Sequence, residues 1–300
     1  QAGISGPTFG HSATWIDFDG DGWLDLHVAN DFSGPDRLYR NNGDGTFTNV
    51  LDTVVPHTPF SSMGADLADI NNDGHFDLFV ADMATTTREK DRRGLAASKD
   101  DVVLMATQTG VAPQYMRNAL LLNTGRGLFG EVACWAGIEA TDWTWSVRFE
   151  DFDNDGWADL HVTNGMVREP NNVDLLAQMM RALSDQQRIG VIKRAPVLAE
   201  ANLAYRNVRG TGFENVTDAW GLGEIGVAFG AATGDFDNDG DLDLVYLSYD
   251  GGVSILRNDI AGRHRVQVRL QGTRSNRHGV GAVVRIQSST TGLQSQTLTV

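Results

Sequence analysis

One nine-residue pattern occurs four times in this chain and constrains its fold more than any other feature. The copies are Asp17-Phe18-Asp19-Gly20-Asp21-Gly22-Trp23-Leu24-Asp25, Asp69-Ile70-Asn71-Asn72-Asp73-Gly74-His75-Phe76-Asp77, Asp151-Phe152-Asp153-Asn154-Asp155-Gly156-Trp157-Ala158-Asp159 and Asp235-Phe236-Asp237-Asn238-Asp239-Gly240-Asp241-Leu242-Asp243. Positions 1, 3, 5 and 9 are carboxylates in every copy, except that Asn71 stands at position 3 of the second. Alternate carboxylates in a short loop converge only if the backbone curls around one point. Glycine at position 6 permits that turn, because it takes positive φ at little cost. Four carboxylates brought together repel one another unless a cation lies between them. Hard oxygen ligands in this number suit Ca²⁺, with a backbone carbonyl and water completing six to eight contacts. The expected carbonyls are those of position 7, on Trp23, His75, Trp157 and Asp241. The pattern therefore predicts four calcium sites.

An EF-hand loop is longer, ends in a bidentate Glu and lies between helices. Here position 9 is Asp and runs into alternating residues such as Asp25-Leu26-His27-Val28 and Asp159-Leu160-His161-Val162. That alternation reads as a strand, so these are calcium loops within β-hairpins. They also explain the composition. The formal charge is −15 over 300 residues, and loop positions 1, 3, 5 and 9 alone hold 15 aspartates. Such acidity argues against nucleic acid and anionic membrane surfaces as partners. It is mostly a property of the metal loops. Cys134 is the lone cysteine, which excludes an intrachain disulfide and a thiolate cluster. The chain contains no 18-residue apolar run, hence no expected membrane span.

The loops mark an internal repeat. Their first aspartates are spaced by 52, 82 and 84 residues. A second landmark follows each loop: Tyr39-Arg40-Asn41, Leu121-Leu122-Asn123, Tyr205-Arg206-Asn207 and Leu256-Arg257-Asn258. From position 9 to that Asn the distances are 16, 46, 48 and 15. Units two and three thus carry insertions of 46 − 16 = 30 and 48 − 16 = 32 residues, and without them every period is 52. Phe47, Phe129 and Phe213 follow the first three Asn landmarks by six residues, and Val50, Val132 and Val216 come three later. Each unit reads as four strands, one before the loop, one after it, one ending at the Asn and one starting near the Phe. The residue five before each loop is always small (Ser12, Gly64, Ser146, Gly230), as suits an inner strand crowded at a shared axis. Four-stranded units of about 50 residues predict an all-β fold, a β-propeller with four blades in this chain.

In an up-and-down blade the calcium loops line one face, and the insertions, at about 84–117 and 166–200, lie on the other. The second insertion predicts an amphipathic helix over Val173, Leu176, Ala177, Met180 and Leu183, capped at Asn171 or Asn172, with its stripe packed on the propeller rim. The blades span 1–260. Gln1-Ala2-Gly3-Ile4 matches Ala136-Gly137-Ile138 and reads as the tail of an earlier repeat, so the four units are expected to be an arc of a seven-bladed ring. After Asn258 the pattern stops. Alternation over Arg263–Leu270 and Val283–Ile286 predicts strands of a small β module over 261–300, incomplete at Val300.

The loop units resemble FG-GAP/VCBS repeats, the blades of integrin-α-like propellers. Phe229-Gly230 keeps the Phe-Gly pair, whereas His11-Ser12, Met63-Gly64 and Trp145-Ser146 depart from it. The tail from His264 to Ile286, with Ser275-Asn276-Arg277 and Gly279-Val280-Gly281-Ala282, resembles an ASPIC/UnbV module. Together they are similar to bacterial relatives of the cartilage acidic protein family. That resemblance implies an extracellular, periplasmic or cell-surface protein with a binding or adhesion role, and supplies no catalytic residue.

Zinc-protease, nucleophile-elbow, phosphate-loop and dinucleotide motifs are missing from the sequence. His27 and His161 share a repeat position on strand two, which favours a structural role. The expectation is a non-enzymatic module that binds a protein or glycan on the face opposite the calcium loops. The alternative is a polysaccharide-acting, lyase-like enzyme. Arg, Lys or Tyr converging beside Trp143 would favour that reading, and an insertion face without such a cluster would favour binding.

Overall fold

The computed structural model describes residues 2–4, 6, 9–31, 34–94, 112–169, 171–249, 251–260, 266–274, 276–287 and 295–299. Unit one contains β1 (Gly10–Ile16), β2 (Asp25–Asn30), β3 (Arg37–Asn41) and β4 (Phe47–Asn49). Unit two contains β5 (Ala65–Ala68), β6 (Asp77–Val80), β7 (Ala119–Asn123) and β8 (Phe129–Glu131). Unit three contains β9 (Thr144–Glu150), β10 (Asp159–Asn164), β11 (Leu203–Asn207) and β12 (Phe213–Asn215). Among the described residues unit four contains β13 (Ala228–Gly234), β14 (Asp243–Ser248) and β15 (Gly252–Leu256). A last hairpin pairs β16 (Val283–Gln287) with β17 (Ser295–Thr299). Every unit is an antiparallel meander in sequence order, as the landmarks require.

Inner strands pack in series, β1 on β5, β5 on β9 and β9 on β13. Among the described residues no strand of unit one packs in this way on a strand of unit four, so the ring does not close between them. The fold is a four-blade β-propeller arrangement laid out as an arc. Between units one and two, Ile16, Phe18, Ala29 and Leu38 meet Phe76, Leu78, Val80 and Leu121. Between two and three, Phe79 and Leu120 meet Val147, Phe149 and Leu160, with Phe79 and Phe149 edge to face at 6.0 Å. Burying each such side chain contributes about 1.5–3 kcal/mol. Ala2 and Gly3 lie against β4, where Phe47 N donates to Ala2 O at 2.7 Å. Gly3 and Gly137 share a left-handed φ of 83° and 78°, and Gly137 lies against Phe213 O as Gly3 lies against Phe47 O. The opening residues therefore sit as an inter-blade tail does.

The small residues at the inner strands have a visible cause. A Cβ on Gly64 would stand 2.4 Å from Trp145 O of the next blade. In units one, three and four a register shift bulges the preceding residue, His11, Trp145 or Phe229, out of the ladder. Bulges re-aim side chains, and these meet. His11 stacks on Trp145 at 6.3 Å, and Phe229 stands edge-on to Trp145 at 5.1 Å.

The Asn landmark is a clasp between blades. Its backbone N–H donates to the position-9 carboxylate of its own loop, and its amide reaches across to the previous unit. Asn123 Nδ2 donates to Phe18 O at 2.9 Å, Asn207 Nδ2 to Ile70 O at 2.9 Å and Asn258 Nδ2 to Phe152 O at 2.7 Å.

The helices are α1 (Leu51–Val54), α2 (Arg88–Arg93), α3 (Ala133–Ala136), α4 (Val173–Arg181), α5 (Asp185–Lys193) and α6 (Thr217–Trp220). As expected, α4 starts at Val173, with Asn172 Oδ1 accepting from Asp174 N and Leu175 N. Its stripe does not pack on the rim, contrary to the sequence reading. Leu176 and Ala177 are half-buried, but Met180 is 85% and Leu183 94% exposed. The helix packs instead on α5, which the sequence reading did not anticipate. Half of the first insertion, 95–111, and residues 263–265 of the expected tail strand lie outside the described residues. Val266–Leu270 forms no strand, while the expected strand at Val283 does form.

Two substitutions probe these contacts. Gly64→Ala should cost about 1–3 kcal/mol in chemical denaturation, because Trp145 O is backbone and cannot swing aside. Asn207→Ala should cost about 2–3 kcal/mol by leaving Ile70 O and Ala158 O unpaired. Asn41→Ala should cost less, since the Asn41 amide reaches only Leu24 O of its own loop. Equal losses at the two asparagines would contradict the clasp.

Candidate metal centres

Each loop joins the first two strands of its unit and turns twice through left-handed backbone. Position 6 has φ of 89°, 94°, 94° and 89° at Gly22, Gly74, Gly156 and Gly240. Position 4 is also left-handed, with φ of 76°, 55°, 53° and 62° at Gly20, Asn72, Asn154 and Asn238. Asparagine is the side-chain-bearing residue that most readily takes this conformation, which explains the Gly/Asn choice there. Two of these asparagines also link neighbouring loops. Asn72 Nδ2 donates to Gly156 O at 2.9 Å, and Asn154 Nδ2 to Asp241 Oδ1 at 2.7 Å.

The first carboxylate organises the turn. Asp151 accepts from Asp155 N at 2.9 Å and Gly156 N at 2.8 Å, and Asp17 and Asp69 do the same in their loops. Position 5 then caps position 7, as where Trp157 N donates to Asp155 Oδ1 at 3.1 Å and His75 N to Asp73 Oδ1 at 2.9 Å. Position 9 is fully buried. Asp159 Oδ2 accepts from Phe152 N at 3.0 Å and its Oδ1 from Asn207 N at 2.8 Å, a pairing repeated at Asp25, Asp77 and Asp243.

Three loops bring three carboxylates together, each offering an oxygen within 4.8 Å of the others. They are Asp17, Asp19 and Asp25; Asp151, Asp153 and Asp159; and Asp235, Asp237 and Asp239. The remaining expected carboxylates, Asp21, Asp155 and Asp243, stand outside these trios. Loop two makes no trio of Asp69, Asp73 and Asp77, and its Asn71 Nδ2 donates to Asp73 Oδ2 at 2.9 Å. The donor set fits a cation. Asp153 Oδ1 and Asp235 Oδ1 are buried atoms without a hydrogen-bond partner, in loops where an ion would satisfy them. Position 7 was expected to supply a carbonyl. Its side chain also has a structural job, because Trp23, His75 and Trp157 pack over hairpin glycines Gly43, Gly125 and Gly210.

Burial raises Asp19, Asp25, Asp69, Asp77, Asp151 and Asp159 above the usual carboxylate range. Asp77 and Asp159 rise to about 8, and Asp25 and Asp151 to about 6. Backbone N–H donors oppose the shift, and neighbouring loop carboxylates add to it. The strand-two histidines are structural, as expected. His27 Nε2 lies 3.1 Å from Asp36 Oδ2, and burial depresses His161 to about 4, so it is neutral beside Tyr246 and Phe152.

On the opposite face, Lys90 of α2 lies 2.7 Å from Asp142 and 3.0 Å from Glu200, and Arg93 lies 2.7 Å from Glu169. Lys90, Arg93, Glu169 and Glu200 line a cavity of about 50 Å³ together with Trp143. Burial pulls the Lys90 ammonium down, but Asp142 and Glu200 more than offset this and hold it above its ordinary value. The cations beside Trp143 therefore pin the insertions to the blades.

The description "FG-GAP-like repeat" fits residues 17–80 and 98–162, which contain the first three loops. A search of curated proteins finds no match. Among solved structures, the chain is similar to an Agrocybe aegerita lectin described as recognising non-reducing terminal N-acetylglucosamine. The identity is 16% and the TM-score 0.39, over 88% of this chain and 53% of the lectin. It is also similar to a Bacillus licheniformis rhamnogalacturonan lyase, at 15% identity and a TM-score of 0.39, over 87% of this chain and 45% of the lyase. The chain spans about half the length of these proteins. What the family match shows is FG-GAP-like repeats over these two stretches.

Proposed function

We propose that this chain is a non-enzymatic, calcium-stabilised propeller module that presents its insertion face to a protein or glycan. One observation carries the calcium reading, the meeting of three carboxylates in loops one, three and four beside the partnerless Asp153 Oδ1. Trios of hard oxygens on a flexible loop suit Ca²⁺ better than softer metals. Loop two, with one carboxylate fewer, would be the weakest of four sites. Extracellular modules work at roughly 10⁻⁴ to 10⁻³ M calcium, so an extracellular, periplasmic or cell-surface setting in a bacterium matches these open loops. Among the described residues no helix is long and apolar enough to cross a membrane.

On the insertion face, Val173, Met180 and Leu183 of the α4 region and Ile189 and Ile192 of α5 are exposed apolar groups. Such a stripe suits a protein ligand more than a sugar. The lyase-like alternative draws on Lys90 and Arg93 beside Trp143. Its weakness is chemical. A proton-abstracting lysine needs a lowered pKa, and the cavity is far below the ~300 Å³ of ordinary ligand pockets.

Calcium at about 100 times each dissociation constant would add about 2.7 kcal/mol per site, so chelation should lower the thermal midpoint strongly. An unchanged midpoint after verified metal removal would sink the structural role. In a chelator titration, loop two should empty first, and residual metal there in a partly stripped crystal would contradict this order.

The metal-free protein should also respond to pH. Its buried aspartates bind protons more tightly folded than unfolded, so stability falls as pH rises from about 4 to 8. Added calcium should flatten that slope, as read from denaturation at pH 5 and 8. A metal-free protein more stable at pH 8 would refute the burial argument.

A further inference from the structure

Loop two has an amide where the other loops have a third-position carboxylate, and a distant strand reaches this loop. Thr297 of β17 is 4% exposed. Its hydroxyl makes no hydrogen bond of good geometry, although it lies against the Asp69 carboxylate. The adjacent Gln296 donates from Nε2 to Asp151 Oδ2 of loop three at 3.1 Å. Neighbours on a strand point to opposite sides, which lets one β17 dipeptide address two loops. Arg285 of β16 donates to Gly74 O of loop two at 3.2 Å, and Gly281 approaches Leu24 of loop one. The hairpin thus stands on three loops. It closes an axial cavity of about 430 Å³, lined also by Asp66, Arg148, Glu150 and Thr233.

We propose that the C-terminal hairpin completes the cation site of loop two, with Thr297 Oγ1 adding a neutral oxygen beside the Asp69 carboxylate. Gln296 steadies the loop-three site through Asp151. The inference rests on the calcium reading above. A hydroxyl, like water, is a hard neutral oxygen of the kind calcium accepts, and this one is buried against Asp69. Because the site then draws on both segments, cation binding and hairpin docking favour each other equally.

The experiment is calcium titration calorimetry on the full chain as wild type, Thr297→Val and Thr297→Ser, with amide hydrogen exchange over β16 and β17 in calcium and in chelator. Valine keeps the shape and removes the oxygen, whereas serine keeps it. One site should weaken about tenfold or more in Thr297→Val, with wild-type behaviour restored in Thr297→Ser. The hairpin amides should exchange faster in chelator. Wild-type affinity at every site in Thr297→Val overturns the inference while leaving the calcium reading intact, as does hairpin exchange indifferent to calcium. A wild-type chain that takes up no calcium overturns both.

Discussion

The buried carboxylate at position 9 is the contact on which the rest of each blade depends. Asp25, Asp77, Asp159 and Asp243 are almost completely inaccessible. Each accepts the N–H of loop position 2 with one oxygen and the N–H of the landmark asparagine with the other. One side chain therefore fixes the loop's entry and the end of the third strand. Burying a charge costs several kcal/mol unless it is compensated. Two amide donors compensate in part, and a cation between positions 1, 3 and 9 would supply the remainder. The acidic loops and the compact blades are thus one electrostatic problem with one solution.

From that carboxylate the order spreads sideways. The asparagine held by it donates to the previous unit's position-2 carbonyl, whose own N–H is held by the previous unit's position 9. The chain of bonds runs aspartate, asparagine, carbonyl, aspartate from unit to unit. Repeat proteins of this kind owe stability to intrinsic unit terms plus neighbour terms. Here the neighbour term has a polar part at the calcium face and an apolar part, Phe79 against Phe149, deeper in.

The blades were legible because their signals are local and periodic. The 52-residue period, the position-9 aspartate and the Asn–Phe spacing placed the strands. At the site, the ligand pattern was legible, but the convergence of individual carboxylates was not, since 1, 3 and 9 meet in two loops and 1, 3 and 5 in another. The left-handed requirement at position 4 was present in the sequence as Gly or Asn in every copy. A second clasp also escaped notice, in which Asp36, Asn118 and Asn202 accept from Asn30 N, Asp82 N and Asn164 N. All three lie five residues before the landmark Asn, so the repeat alignment alone could have found them. The α4 stripe and the hairpin's footing were not legible, because helical periodicity says which residues share a face and not what that face meets.

The fourth unit differs from the others in how its strands are covered among the described residues. Thr163 of β10 and Ala204 of β11 are fully buried between units three and four. Counted from the same landmarks, their counterparts in unit four are Leu247 and Ile255, which are 53% and 67% exposed. The exposed pair is more apolar than the buried pair, so this face was not shaped by contact with water. Apolar surface at these positions favours burial at roughly 25 cal/mol per Å². The same two positions are fully buried in the other units, at Ala29 and Leu38, Ala81 and Leu120, and Thr163 and Ala204, so among the described residues only unit four leaves them uncovered.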